Sequence, residues 1–145
     1  MNNMNKEIAY VLTGEFSNGI WFTKMRWRRK GSESSVLFDG AKVLRQEELA
    51  GDVVGFYHTH PCGLAQPSAR DDATMMSWSF CFGKPLICAI ETDEELKAWV
   101  YDAGNVTCLA LVAARFKPGW LVASESKAIE RILEKMKLAP WYGTE

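Results

Sequence analysis

Short alternating stretches and short apolar runs dominate this chain, and both patterns predict strands. Ile8 to Leu12 reads as a first strand. Ile20 to Arg29 reads as a second, because Trp21, Thr23, Met25 and Trp27 alternate with Phe22, Lys24, Arg26 and Arg28. The basic face of that strand, with Lys30 at its end, suits an acidic partner, plain solvation or a charged edge that resists aggregation. Gly31 to Ser35 forms a turn, Val36 to Phe38 a short strand, and Asp39-Gly40 closes it. Residues 41 to 50 predict one or two helical turns or a flexible flap, and residues 39 to 51 as a whole are either a substrate-gripping flap or a connector. Asp52 to Tyr57 is a buried strand, and Pro61 to Pro67 has the Gly and Pro content of a tight loop. A helix follows from Ala69 to about Phe82, with Ala69, Ala73, Met76 and Phe80 assigned to the core, and Gly83-Lys84-Pro85 ends it. Leu86 to Ile90 and Leu96 to Tyr101 are strands joined by an acidic turn, and Val106 to Ala113 is another. Within Ser124 to Lys137, Ile129, Ile132, Leu133 and Met136 follow helical spacing and predict an amphipathic helix packed on the sheet. Strands with a few interposed helices predict an α/β domain, but pattern alone supplies the elements and their order, not their topology.

Composition narrows the class without naming the chemistry. A chain of 145 residues fits a single domain, residues 1 to 145, able to bury its core without disulfides. Hydrophobic residues at 48% and charged residues at 24% are ordinary globular usage, so disorder is not expected. Lys plus Arg 17 against Asp plus Glu 18 gives a net charge of -1, which argues against a general polyanion binder. The first six residues lack the basic and apolar segments of a signal peptide, and no window approaches the roughly 18 apolar residues that span a bilayer. A cytoplasmic location without membrane contact is the resulting expectation. Cys62, Cys81, Cys88 and Cys108 form no C-x-x-C pair and are expected as free thiols in a reducing compartment.

The chemistry is concentrated in His58-Thr59-His60-Pro61 and Pro67-Ser68-Ala69-Arg70-Asp71, an H-x-H-x7-S-x2-D pattern that uses both histidines of the chain. Side chains two apart on a strand point the same way, so His58 and His60 converge, and Asp71 completes a three-ligand cup. Two imidazoles and a carboxylate, with a fourth position left open, form a donor set that Zn2+ takes in catalytic sites. Ser68 to Asp71 also reads as a helix cap, since Ser at the N-cap with an acid three residues on satisfies free N–H groups. Cys62, two residues beyond His60, either tunes the site or is a loop thiol beside it.

These residues resemble the JAMM motif of the JAB/MPN metalloproteases, and the chain's size is similar to that of their compact prokaryotic members. The family carries an upstream glutamate in E-x-x-G-x-L-x-G. Glu7-Ile8-Ala9-Tyr10-Val11-Leu12-Thr13-Gly14 matches it, with Tyr10 in place of the first glycine. Glu7 is the matching position, and Glu15, beside the same strand, is a rival. The resemblance covers roughly residues 6 to 115. It implies a JAB/MPN, cytidine-deaminase-like domain, a mixed β-sheet with helices packed on it. It also implies one Zn2+ per chain held by His58, His60 and Asp71, lowering the pKa of its water from about 15.7 toward about 7. Glu7 would be the general acid and base, and Ser68 the donor to the oxyanion, a contribution of about 3 kcal/mol.

The resemblance further implies hydrolysis of an amide or isopeptide bond after the C-terminal glycine of a ubiquitin or ubiquitin-like protein. The setting would be a bacterial conjugation operon, including ones linked to anti-phage defence, with E1-like and E2-like enzymes as neighbours. Two other classes stay open. One is a catalytically silent MPN-type binding module. The other is a DNA-associated protein similar to the RadC type, favoured only by Lys24, Arg26, Arg28 and Arg29.

Overall fold

The computed structural model describes residues 8–17, 19–30, 40–60, 64–113 and 119–125. Among them run β1 (Ile8–Ser17), β2 (Ile20–Lys30), α1 (Gly40–Ala50), β3 (Val53–Thr59), α2 (Ala69–Phe82), β4 (Leu86–Glu91), β5 (Leu96–Asp102), β6 (Asn105–Ala113) and β7 (Trp120–Ser124). The strands close into a barrel in the order β1-β2-β7-β6-β5-β4-β3. Among the described residues only β3 and β4 pair in parallel, and α2 makes the crossover between them. Helices and a strand-rich sheet are thus both present, as an α/β reading requires, and the closure of the sheet into a barrel is a feature that the pattern left undetermined.

Two apolar clusters define the layers. All seven strands contribute to the first, which fills the barrel and includes Leu12, Trp21, Tyr57, Ile87, Val100, Leu109 and Leu121. The second lies on the outer face, where Val11, Val53, Phe56, Leu86, Cys88, Ile90 and Tyr101 meet Val43 of α1 and Met75 of α2. Along β4, Leu86, Cys88 and Ile90 face outward to the helices while Ile87 and Ala89 face inward, which is why this strand reads as one continuous apolar run.

Several sequence expectations are corrected. The strand β7 was not foreseen: Trp120 to Ser124 is too short to alternate, and Ser124 ends this strand rather than starting a helix. Its pairing with β2 and β6 closes the barrel, so β2 lies between two partners and is not an edge strand. Residues 40 to 50 take the helical of the two readings left open for them, as a regular helix longer than the one or two turns expected. Glu47 of α1 pairs with Lys84 at 2.8 Å and accepts the Val53 N–H at 3.1 Å, fixing the helix to the sheet. Strict alternation along β2 also fails. A register shift places Trp27 and Arg28 opposite Tyr10, and Trp27, at φ 55, joins the outer cluster instead of the barrel interior shared by Trp21 and Met25.

The helix α2 keeps its predicted limits and ends at Gly83, whose φ of 65 suits a left-handed cap. Its inner face differs from the expected one. Of the expected four, Met76 packs against the outer cluster, but Ala69 and Ala73 are exposed and Phe80 is 70% exposed, while Met75 and Ser79 are buried with Trp78 and Phe82 packed nearby. Two polar members of the inner stripe hide it from an apolar count. Asp72 accepts the Tyr101 hydroxyl at 2.5 Å, and Ser79 Oγ lies 3.1 Å from the Tyr101 carbonyl oxygen. The expected strand at 36 to 38 and nearly all of the expected C-terminal helix lie outside the described residues.

Candidate metal centre

At the C-terminal end of β3 the alternation of the strand sends His58 to the outer face, beyond Phe56. His60 follows as the chain leaves the strand, where its N–H donates to the Glu91 carbonyl oxygen at 3.0 Å and prolongs the parallel pairing with β4. The helix α2 then starts over this strand end. Its N-cap Ser68 accepts the Asp71 N–H at 3.1 Å, and the Asp71 carboxylate accepts the Ser68 N–H at 2.9 Å, a complete capping box. The cap and metal readings of this segment describe the same atoms: Asp71 Oδ2, which takes the Ser68 N–H, also faces both imidazoles.

Three atoms make the site. His58 Nε2 and His60 Nε2 are 3.0 Å apart, and each lies 3.3 Å from Asp71 Oδ2. A tetrahedral ion with bonds of about 2.0–2.1 Å holds its ligand atoms about 3.3–3.4 Å apart, so the triangle has the size of one face of such a tetrahedron. Proton positions support a cation there. His60 Nδ1 sits 3.0 Å from the Leu64 carbonyl oxygen, which only accepts, so Nδ1 carries the hydrogen and Nε2 of the neutral ring presents its lone pair. That lone pair faces a carboxylate oxygen, an arrangement that calls for positive charge between them. The ligand side chains are 12%, 16% and 19% exposed, so the centre is half-buried and open to solvent on one side.

The electrostatics agree. Burial pushes the Asp71 carboxyl up, but hydrogen bonds from His58 and His60, made only when the facing Nε2 atoms carry protons in the place an ion would take, and the Ser68 N–H outweigh it and hold the group well below the usual carboxylate range. Beneath the site, burial pushes the Cys88 thiol up, helped by the Asp71 and Asp72 carboxylates, so it packs as a neutral apolar group. Tyr101, wholly buried on β5, reaches up to Asp72 and ties the first turn of α2 to the sheet beside the ligand. Sequence reasoning missed Leu64 and Tyr101. Leu64 acts through its backbone, and Tyr101 lies 29 residues from the group it holds.

Of the two upstream glutamates, the structure describes Glu15. Ala9 of β1 is the register partner of His58, and Glu15 lies six residues further along, about 20 Å away at about 3.3 Å per residue. Glu15 is exposed and remote from the histidines. Glu7 lies outside the described residues, immediately before Ile8, whose N–H donates to Thr59 Oγ1 between the two histidines at 2.9 Å. Tyr10, at the position of the motif's first glycine, pairs with Tyr57 inside the barrel, their rings 5.7 Å apart. Cys62 falls outside the described residues, while Cys81, Cys88 and Cys108 are free thiols. Among the described residues no helix is long and apolar enough to cross a membrane.

The solution structure of protein DSY2949 from Desulfitobacterium hafniense is similar at 19% identity and a TM-score of 0.43, over 74% of this chain and 77% of that one. No curated protein matches the chain. The family described as prokaryotic homologs of the JAB domain matches residues 2–102, a span that contains Glu7, both histidines, Ser68 and Asp71. With a His-His-Asp triad placed to bind a metal ion inside that span, the chain belongs to the prokaryotic JAB domain family.

Proposed function

We propose that this protein is a zinc-dependent peptidase or isopeptidase that cleaves the bond after the C-terminal glycine of a ubiquitin-like protein. The observation that carries the hydrolase reading is the triangle of His58 Nε2, His60 Nε2 and Asp71 Oδ2, sized for a tetrahedral ion and left open on one side. A zinc ion bound there supplies Lewis-acid polarisation and a water acidic enough to lose a proton near neutral pH.

The remaining work falls to the chain. His58 and His60 offer neutral imidazole nitrogens, and the Leu64 carbonyl oxygen holds the His60 ring in the tautomer that does so. Glu7 takes the proton of the attacking water and returns it to the leaving amine as the C–N bond breaks. The Ser68 oxygen accepts the Asp71 N–H, which leaves its own hydroxyl hydrogen to donate to the oxyanion. A glycine before the scissile bond suits a site at a strand end, because a residue without Cβ lets the backbone approach closely.

The test is hydrolysis of ubiquitin-like proteins extended beyond their terminal glycine, by wild type and by Glu7→Ala. Glu7→Ala is expected to abolish turnover with zinc retained, and His58→Ala to lose both. Full turnover without Glu7 would remove its assigned role. No cleavage of any amide or isopeptide substrate by zinc-loaded wild type would overturn the hydrolase reading and leave a binding module.

A further inference from the structure

We propose that the groove between the bulged end of β2 and the helix α1 docks an acidic segment, bearing one apolar side chain, of the protein substrate. This rests on the reading of the metal centre as one that cleaves protein substrates, and it names a property of that substrate.

The argument begins with position. Arg29 is the register partner of Ala9, and Ala9 of His58, so the three form one row across β2, β1 and β3. Directly paired residues project to the same face. Arg29 therefore shares the outer face with His58 at about 10 Å, two strand spacings, with the buried Ala9 between them in the row. The bulge then turns Trp27 onto this same face at φ 55, a conformation that costs a non-glycine residue energy and gathers at ligand-binding places.

The chemistry of the groove is two-sided. Trp27, Ala41, Lys42, Arg45, Gln46 and Leu49 line a cavity of about 420 Å³, within the range of ligand pockets. Its apolar component is the half-buried indole and Leu49, which is 79% exposed on the rim. Its charge is positive. Lys42 Nζ lies 4.6 Å and Arg26 Cζ 5.2 Å from the Trp27 ring centre, and among the described residues no carboxylate pairs with Arg29 or Arg45. An apolar slot with cations around it complements an apolar anchor flanked by carboxylates. A nucleic acid fits less well, because the positive stretch is short, Glu48 is exposed on the same helix and the chain's net charge is -1.

The test measures fluorescence polarisation with two labelled decapeptides, one alternating glutamate with leucine and one alternating lysine with leucine, and with a single-stranded DNA 12-mer. The full-length protein is expected to bind the glutamate peptide in a salt-sensitive manner, at least tenfold more tightly than either other probe. Arg29→Glu and Arg45→Glu, both surface changes, should each weaken it by tenfold or more, and their combination should favour the lysine peptide. Equal binding of the two peptides, or unchanged binding in both variants, would overturn the proposal. Tighter binding of the DNA would also overturn it and assign the groove to nucleic acid. Treatment with chelator should leave peptide binding intact. Binding by a wild-type protein that cleaves no substrate would support the groove while removing the hydrolase reading, and cleavage without peptide binding would do the reverse.

Discussion

Asp71 Oδ2 accepts the Ser68 N–H and faces both histidines, so the stability of the α2 cap and the geometry of the centre are coupled at one atom. Two substitutions at Ser68 separate them. Ser68→Ala removes the cap acceptor and is expected to cost about 1 kcal/mol of stability, read by denaturant unfolding. Ser68→Asp restores an acceptor without a donor, so it should keep stability near wild type while turnover falls about 100-fold or more. Retained turnover in Ser68→Asp would remove the oxyanion role. Tyr101 offers a second test. Burial, then the hydrogen bond to Asp72, holds its phenol above the ordinary value near 10. A raised folded pKa makes a contribution that is full below about pH 10 and is lost as pH rises through the folded value, because the unfolded phenol ionises first. Thermal stability is therefore expected to fall above about pH 10, and less steeply in Tyr101→Phe. That variant should also bind zinc about tenfold or more weakly, since the first turn of α2 loses its tie beside Asp71. The ligands were legible in the sequence because spacing two on a strand and a capping pattern have local meanings. The tie from Tyr101 was not, because pairing across 29 residues leaves no local trace.

Among the elements, β3 and α2 carry the site, and β4 pairs with β3 beneath it. At Gly55 an added Cβ would sit 2.1 Å from the Ile87 carbonyl oxygen of β4. Gly55→Ala must push the two strands apart, at an expected cost of about 1–3 kcal/mol read as a lowered Tm. Because His58 follows three residues later on the same strand, zinc affinity should fall as well, and an unchanged Tm would show that the strands yield freely. The limits of β3, α2, β4 and β5 came close to those expected, since each has a strong period or a plain stop such as Gly83. The inner face of α2 did not, because the buried Ser79 and the solvent-exposed Asp72 both lie on the side that meets Tyr101 and hydrogen-bond with it. Alternation along β2 misplaced Trp27 for a different reason: a bulge adds one residue and inverts every face beyond it.

Across the whole molecule, barrel closure was the feature least legible in the sequence. It depends on β7, a five-residue strand without alternation that pairs with β2 across about a hundred positions of chain. Closure gives both neighbours of β1 a fixed register, and through β1 it aligns Arg29, Ala9 and His58. The helices cover one side of this barrel, and the centre sits where α2 starts over the end of β3. Family membership and a compact His-His-Asp triangle converge on a metal centre, and every chemical step proposed for the protein depends on it. The most direct measurement is the zinc content of protein purified without chelator, beside His58→Ala and Asp71→Ala. The account predicts about one zinc per wild-type chain and little in either variant. Well-folded wild-type protein that holds no zinc, and takes none up when it is supplied, would contradict it.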